Sequence, residues 1–359
     1  MPGASLLLEA RVKLEGVLVD LTKLVTVKAL AKQLLKRGET IDGVVWNAGI
    51  AGWKYLSWPR AVRDILLAPV QATTYPDFMV CDVGALAPRQ LSGYGSVHTF
   101  EEPRLGQVFT ANVFGHYMLT HWLSPLMRPE TRVVWIGSIS ALSEAFDARD
   151  LQGFGADRAY EGSKRLTDLL VLTSEAKGTR EEVGAFLPVK GEGERPRMYV
   201  AHPGVVATSI SGLNAFIGLF MLAALYIVRW IGSPWHPITP YKGAVSAVYA
   251  LLSPDSQVPA LEAKEGKGKW GSACSVTGEE RVARTEVEGW GFTGDVGAPE
   301  PAGVVKAKRP GYKGPATKES TEKFEKLGKD VWGQMEALRI EWEERLGKIQ
   351  VDEGESVDA

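Results

Sequence analysis

Short, nearly continuous apolar runs recur along this chain, and each ends in a turn or a small polar residue. Gly16-Val17-Leu18-Val19-Asp20-Leu21 ends beside an acid, and Ile41 to Trp46 runs into Asn47-Ala48-Gly49. Arg132-Val133-Val134-Trp135-Ile136-Gly137-Ser138 ends at a serine, and Tyr199-Val200-Ala201-His202 ends at Pro203-Gly204. Runs of this kind read as strands buried on both faces, as in a parallel sheet covered by helices. Thr22 to Arg37 carries helical spacing at Val25, Leu30 and Leu34, with Gly38 placed as a C-cap. Strand, helix and strand within about thirty residues make a right-handed parallel unit, so the fold expected is α/β, a doubly wound parallel sheet.

Tyr160 and Lys164 stand four residues apart, on one face of a helix. Of the ten tyrosines, only Tyr160 has a lysine at that spacing. A free phenol titrates near ~10. A neighbouring ammonium favours the phenolate, so the pair suits a tyrosine that hands a proton to a carbonyl oxygen near neutral pH. A surface tyrosine one turn from a solvated lysine gives the same spacing by chance. The flanking order weighs against chance: Asn47-Ala48-Gly49 and Ser138 precede the pair, and Pro203-Gly204 follows it.

Together these motifs resemble the short-chain dehydrogenase/reductase family. The resemblance implies a catalytic set of Asn112 (in Ala111-Asn112-Val113-Phe114-Gly115), Ser138, Tyr160 and Lys164. Ser138 is preferred to Ser140 because it directly follows Gly137. Asn112 would kink its helix and hold a water linking Lys164 to solvent. Cofactor contacts are implied at Asp20 (adenine), at Asn47 and Gly49 (the lining turn), and at Tyr160, Lys164, Pro203, Gly204, Val206 and Thr208. Tyr160 to Leu166, Gly232-Ser233-Pro234-Trp235-His236 and Trp270-Gly271-Ser272-Ala273 look like the family's sterol branch, the fungal 3-keto-steroid reductases, from about Glu15 to the C-terminal helix. That branch implies reduction, with NADP(H), of the 3-keto group of a C-4-demethylated sterol in ergosterol biosynthesis. The expected setting is the cytoplasmic face of the endoplasmic reticulum membrane or a lipid droplet, beside other C-4 demethylation enzymes. The alternatives are a catalytically incomplete scaffold subunit of such a complex, or a reductase of another lipid ketone. A serine hydrolase built on Ser138 is disfavoured, since no Gly-x-Ser-x-Gly elbow surrounds it.

A dinucleotide-binding sheet opens with a strand and a glycine-rich turn whose N–H groups hold the pyrophosphate. Met1-Pro2-Gly3-Ala4-Ser5 supplies no such turn before Asp20. Relative to the family, the expectation is therefore an N-terminally truncated Rossmann core, without the residues that choose between NADPH and NADH. Three regions are expected: a core over 1–210, a substrate lid and membrane-contact region over 211–310, and a C-terminal helix with an acidic tail over 311–359.

A chain of 359 residues with 45% hydrophobic content can bury a large core, and a net charge of −2 gives no footprint for nucleic acid. Cys81 and Cys274 make neither a disulfide framework nor a zinc spacing, and His116 and His121 are five apart, which is wrong for a same-face metal pair. Leu6 to Leu8 is too short for a signal segment. Gly52 to Arg104 reads as an ordered insertion near the site mouth, Leu105 to Leu126 as a long helix, and Ser143 to Ala159 as a stretch shaping the pocket. Ala215 to Val228 holds fourteen uncharged residues, short of the ~20 that span a bilayer. It reads as a lid that can lie in a membrane interface, with Arg229, Trp230 and Trp235 at the headgroups; a buried core helix is the alternative. Gln257 to Lys269 reads as a surface loop. Phe324, Leu327, Val331, Met335, Leu338, Trp342, Leu346 and Ile349 mark an amphipathic helix. Gly328 and Gly333 weaken it, so it needs a partner surface, the domain itself or another protein. Asp352 to Ala359 reads as a disordered acidic tail.

Overall fold

Consecutive residues of the central strands are buried on opposite sides, which explains their unbroken apolar runs. The computed structural model describes residues 12–91, 102–188, 194–208, 215–291 and 307–347. The strands are β1 (Ile41–Trp46), β2 (Trp53–Leu56), β3 (Met79–Cys81), β4 (Met127–Ile136), β5 (Arg197–His202), β6 (Lys269–Cys274) and β7 (Glu280–Thr285). The main sheet runs β1-β4-β5-β6-β7, parallel from β1 to β6, with β7 antiparallel at the end; β2 and β3 form a separate antiparallel pair.

The helices are α1 (Leu24–Arg37), α2 (Trp58–Leu67) and α3 (Pro69–Thr74), then α4, which passes from Gln107–Phe109 through a π-helical Thr110–Phe114 into Gly115–Leu123. After it come α5 (Ala159–Leu172), α6 (Arg180–Phe186), α7 (Ala215–Trp230), α8 (Pro240–Gly243), α9 (Val245–Leu252), α10 (Val258–Glu265) and α11 (Lys318–Gly347). Val133 and Trp135 of β4 and Val200 of β5 pack with Phe114 of α4, Leu166 of α5 and Trp332 of α11. Val134, Tyr199 and Ala201 face the other way, onto Ala247 and Ala250 of α9. Helices thus cover both faces of a mainly parallel sheet, the α/β Rossmann-like arrangement expected.

Gly38 ends α1 in the left-handed region at φ 68°, its N–H donating to Leu34 O. The insertion is ordered over its described part, and 92–101 lies outside the described residues. Cys81 and Cys274 are buried and free. No described helix is long and apolar enough to cross a membrane.

Three readings are corrected. Arg229 and Trp235, expected at the headgroups, are each buried at 8%, Trp235 in a core cluster with Ile139, Ala273 and Ala283. Gly16 to Leu21 is not a strand: Val17 and Leu18 are exposed, at 42% and 70%, and the described sheet gives them no neighbour to pair with. An apolar run becomes a strand only when another strand satisfies its backbone. Gln257 to Lys269 is not a surface loop either. It folds as α10, and Lys267 and Lys269 beyond it are buried at 4% and 3% because each meets a carboxylate, Glu262 and Asp168.

The C-terminal helix finds its partner in the domain itself. Phe324, Val331, Met335, Trp342 and Leu346 enter the main core. Tyr117 of α4 donates to Glu336 at 2.6 Å, Arg339 bridges to the same carboxylate at 2.7 Å, and Trp122 donates to Glu343 at 2.9 Å. Gly328 is where α11 crosses the end of α5: a Cβ there would lie 2.5 Å from Thr173 Oγ1. Ile349, the acidic tail and Leu6 to Leu8 lie outside the described residues.

Candidate active site

Asn112 occupies the π-helical turn of α4, the irregularity expected at that position, and π turns favour functional sites. Its buried side chain ties two elements together. Oδ1 accepts from Ile50 N at 2.7 Å, while Nδ2 donates to Ile50 O at 2.9 Å and to Ser163 Oγ at 3.1 Å. The turn after β1, which carries Asn47 and Gly49, is thereby fastened to α5 at Ser163, next to Lys164. Gly49 is needed for that approach, since a Cβ would sit 2.7 Å from Asn112 Oδ1. Asn47 itself is exposed.

Tyr160 lies in the first turn of α5, with its phenol beside the Ser138 side chain just past the end of β4. Ser140 is engaged elsewhere, donating to Thr74 O at 3.1 Å. Trp53 of the insertion meets the Tyr160 ring edge-on at 5.9 Å, a neighbour no spacing in the sequence signals.

Lys164 is buried; its Nζ donates to Ile136 O at 2.7 Å and lies 5.7 Å from the Tyr160 ring centroid. The expected lowering of the phenol pKa is not found here. Burial pushes Tyr160 up to about 12 against the lowering by the Ser138 side chain, and it pushes Lys164 down to about 8. Desolvation wins at the buried Lys164 and the half-buried Tyr160, and the ammonium spends a donor on a backbone carbonyl.

Pro203 and Gly204 follow β5. Gly204 adopts φ 69°, and a Cβ on it would lie 2.7 Å from Trp235 O and 2.8 Å from Ser272 O. Val206 forms a bridge with Ile238, and Thr208 is exposed beside a segment outside the described residues. Asp20 turns its carboxylate onto Thr22, accepting from its N at 2.9 Å and its Oγ1 at 2.6 Å ahead of α1. Among the described residues no strand leads into a glycine-rich turn and helix. The end of the sheet around Ser138 is better furnished. Ser138, Tyr160, Lys164 and the Pro203–Thr208 turn all lie at or beyond the C-terminal ends of parallel strands, where such sheets bind ligands. Lys164 spends one of its three donors on Ile136 O. The donor set fits a nicotinamide cofactor.

The two histidines are structural. His116 stacks on Trp46 at 5.1 Å, and His121 meets Phe186 O at 2.8 Å. No group able to hold a metal is found among the described residues.

No family model matches the chain. Curated relatives do. The chain is 36% identical to a 3-keto-steroid reductase of Aspergillus fumigatus over 95% of its own length and 80% of that protein. It is 39% identical to one of Gibberella zeae, over 86% and 68%, and 32% identical to one of Schizosaccharomyces pombe, over 78% and 73%. A solved structure from Mycobacterium paratuberculosis aligns with 93% of the chain at a TM-score of 0.39 and 15% identity, a likeness too weak to bear on the fold. Identity above 30% across two thirds or more of each relative cannot be a motif match alone, and the chain belongs to the 3-keto-steroid reductase family.

Proposed function

We propose that this protein reduces the 3-keto group of a C-4-demethylated sterol to the 3β-hydroxyl in ergosterol biosynthesis, with NADPH as reductant. The observation that carries the reading is Ser138 beside the Tyr160 phenol with Lys164 one turn along α5, in a chain of this family. When bound, the nicotinamide supplies hydride to C3 of the sterol. Tyr160, whose pKa of about 12 keeps it protonated at neutral pH, gives its proton to the ketone oxygen. Ser138 donates to the same oxygen and stabilises the charge that develops there. Lys164 and the Pro203–Thr208 turn hold the ribose and carboxamide, Asp20 serves the adenine end, and Asn112 fixes the turn of Asn47 and Gly49 against α5.

The sterol reaches the site from a membrane surface. α7 exposes Leu219, Phe220 and Trp230 at 62, 63 and 64%. α2 exposes Trp58, Val62 and Leu66, a stripe at i, i+4 and i+8. Apolar helix faces of this kind lie in a bilayer interface, consistent with the endoplasmic reticulum or a lipid droplet as location and with neighbouring C-4 demethylation enzymes as partners.

The test is NADPH binding, followed by nicotinamide fluorescence, and turnover of a sterol 3-ketone by the full chain. Tyr160→Phe is expected to abolish turnover and leave binding largely intact. Loss of binding as well would make Tyr160 structural, and turnover by Tyr160→Phe would refute its role as the acid.

A further inference from the structure

Charged side chains lie behind Ser138 and Lys164 where hydrophobic ones would be cheaper to bury. Lys269, at the start of β6, donates from Nζ to Asp168 Oδ2 and to the carbonyl of Ser138, each at 2.7 Å. The pair is 3% and 1% exposed at its side chains. Asp168 stands one turn beyond Lys164 on α5, and its Oδ1 is buried without a hydrogen-bond partner. Lys164 in turn donates to Ile136 O. Two buried ammonium groups therefore hold the carbonyls on either side of Gly137, and Ser138 is carried on that clamped segment.

Replacing a buried ion pair by apolar residues is often neutral or stabilising, so stability alone does not account for this one. We propose that Lys269 and Asp168 are positioning residues for the reaction: they fix the backbone of Ser138 and set the charge environment of Lys164. The inference rests on the reductase reading.

Lys164 feels Lys269 from β6 and Asp168 from its own helix, and it borders His116 of α4, which burial holds neutral with a pKa of about 4. Lys269 further faces Arg165 of α5, Arg309 and the buried, neutral His202 at the end of β5. After burial, the largest influence on Lys164 is Lys269, which lowers its pKa, and Asp168 opposes it more weakly.

The experiment follows the side-chain carbons of the lysines by NMR titration of the full chain, with Lys164 assigned through Lys164→Arg. Lys269→Met and Lys269→Gln both remove the charge and should raise the Lys164 midpoint by on the order of one pH unit, while Lys269→Arg, which keeps it, should leave the midpoint near wild type. Loosened packing would move Lys164 in the bulkier arginine variant as well. Equal shifts in all three variants, or none, would overturn the proposal. If Lys269→Met fails to fold because Asp168 is left unpaired, Lys269→Met with Asp168→Asn replaces it; that double variant should still raise the midpoint, and an unchanged value refutes the coupling. Turnover by wild type and Tyr160→Phe tests the reductase reading separately, so either can fail alone.

Discussion

Asn112→Ala should loosen the joint between the turn after β1 and α5. The side chain makes three hydrogen bonds, two to the backbone of Ile50 and one to Ser163 Oγ. Ser163 keeps a second bond, to Tyr160 O at 2.7 Å, so the loss falls mainly on Ile50. A bond lost with its partner left buried costs about 1–3 kcal/mol. Ile50 is only half-buried, so the low end applies, and the three bonds together come to roughly 3 kcal/mol. Gly49→Ala attacks the same joint from the other side, through a Cβ 2.7 Å from Asn112 Oδ1. Overpacking of this kind costs about 1–3 kcal/mol. Because both changes break one contact, the double variant should cost clearly less than the sum of the singles. Urea unfolding followed by tryptophan fluorescence gives the energies, and native-state exchange of the Ile50 amide gives the local effect. Full protection of that amide in Asn112→Ala, or strict additivity in the cycle, would refute the joint.

On α11 the same substitution should have opposite signs at two glycines. Gly333→Ala meets nothing within 4 Å and should gain up to about 1 kcal/mol from helix propensity. Gly328→Ala runs into Thr173 at 2.5 Å and should show a net loss of about 1–2 kcal/mol; urea midpoints of the two variants decide it. Glu336→Ala leaves Arg339 buried without its bidentate partner, and should cost about 3–5 kcal/mol in the same assay. His116 and His236 are held neutral in the folded chain, at about 4 and about 3. Their folded pKa values lie below the unfolded ones, so the stability they contribute is present above about 6.5 and lost as pH falls through 4 and 3. Unfolding free energy should thus decline from about pH 6.5 downwards, and His236→Gln should flatten that decline.

Much of the fold was legible because its cause is local. Ile41 to Trp46 and the runs ending at Ser138 and His202 are strands, Gly38 takes the left-handed cap, and the stripe on α11 is the face that is buried. These follow from backbone geometry and side-chain periodicity, which the chain carries wherever it goes. The order of Asn112, Ser138, Tyr160 and Lys164 along the chain was legible, and the fold brings Ser138 beside Tyr160 and Asn112 onto α5. Trp53 on Tyr160 and the Lys269–Asp168 pair were not, because residues more than a hundred apart in sequence meet there with no spacing to announce it.

Where the sequence misled, a non-local partner decided. Gly16 to Leu21 has strand composition and no strand beside it in the described sheet. Lys267 and Lys269 look solvated in a Gly- and Lys-rich stretch, yet each is buried against a carboxylate from another part of the chain or the preceding helix. The four-residue spacing of Tyr160 and Lys164 set their shared helix face, but not their acidities. Those depend on desolvation and on where the ammonium points, and both are settled only when β4, α5 and the insertion close around them.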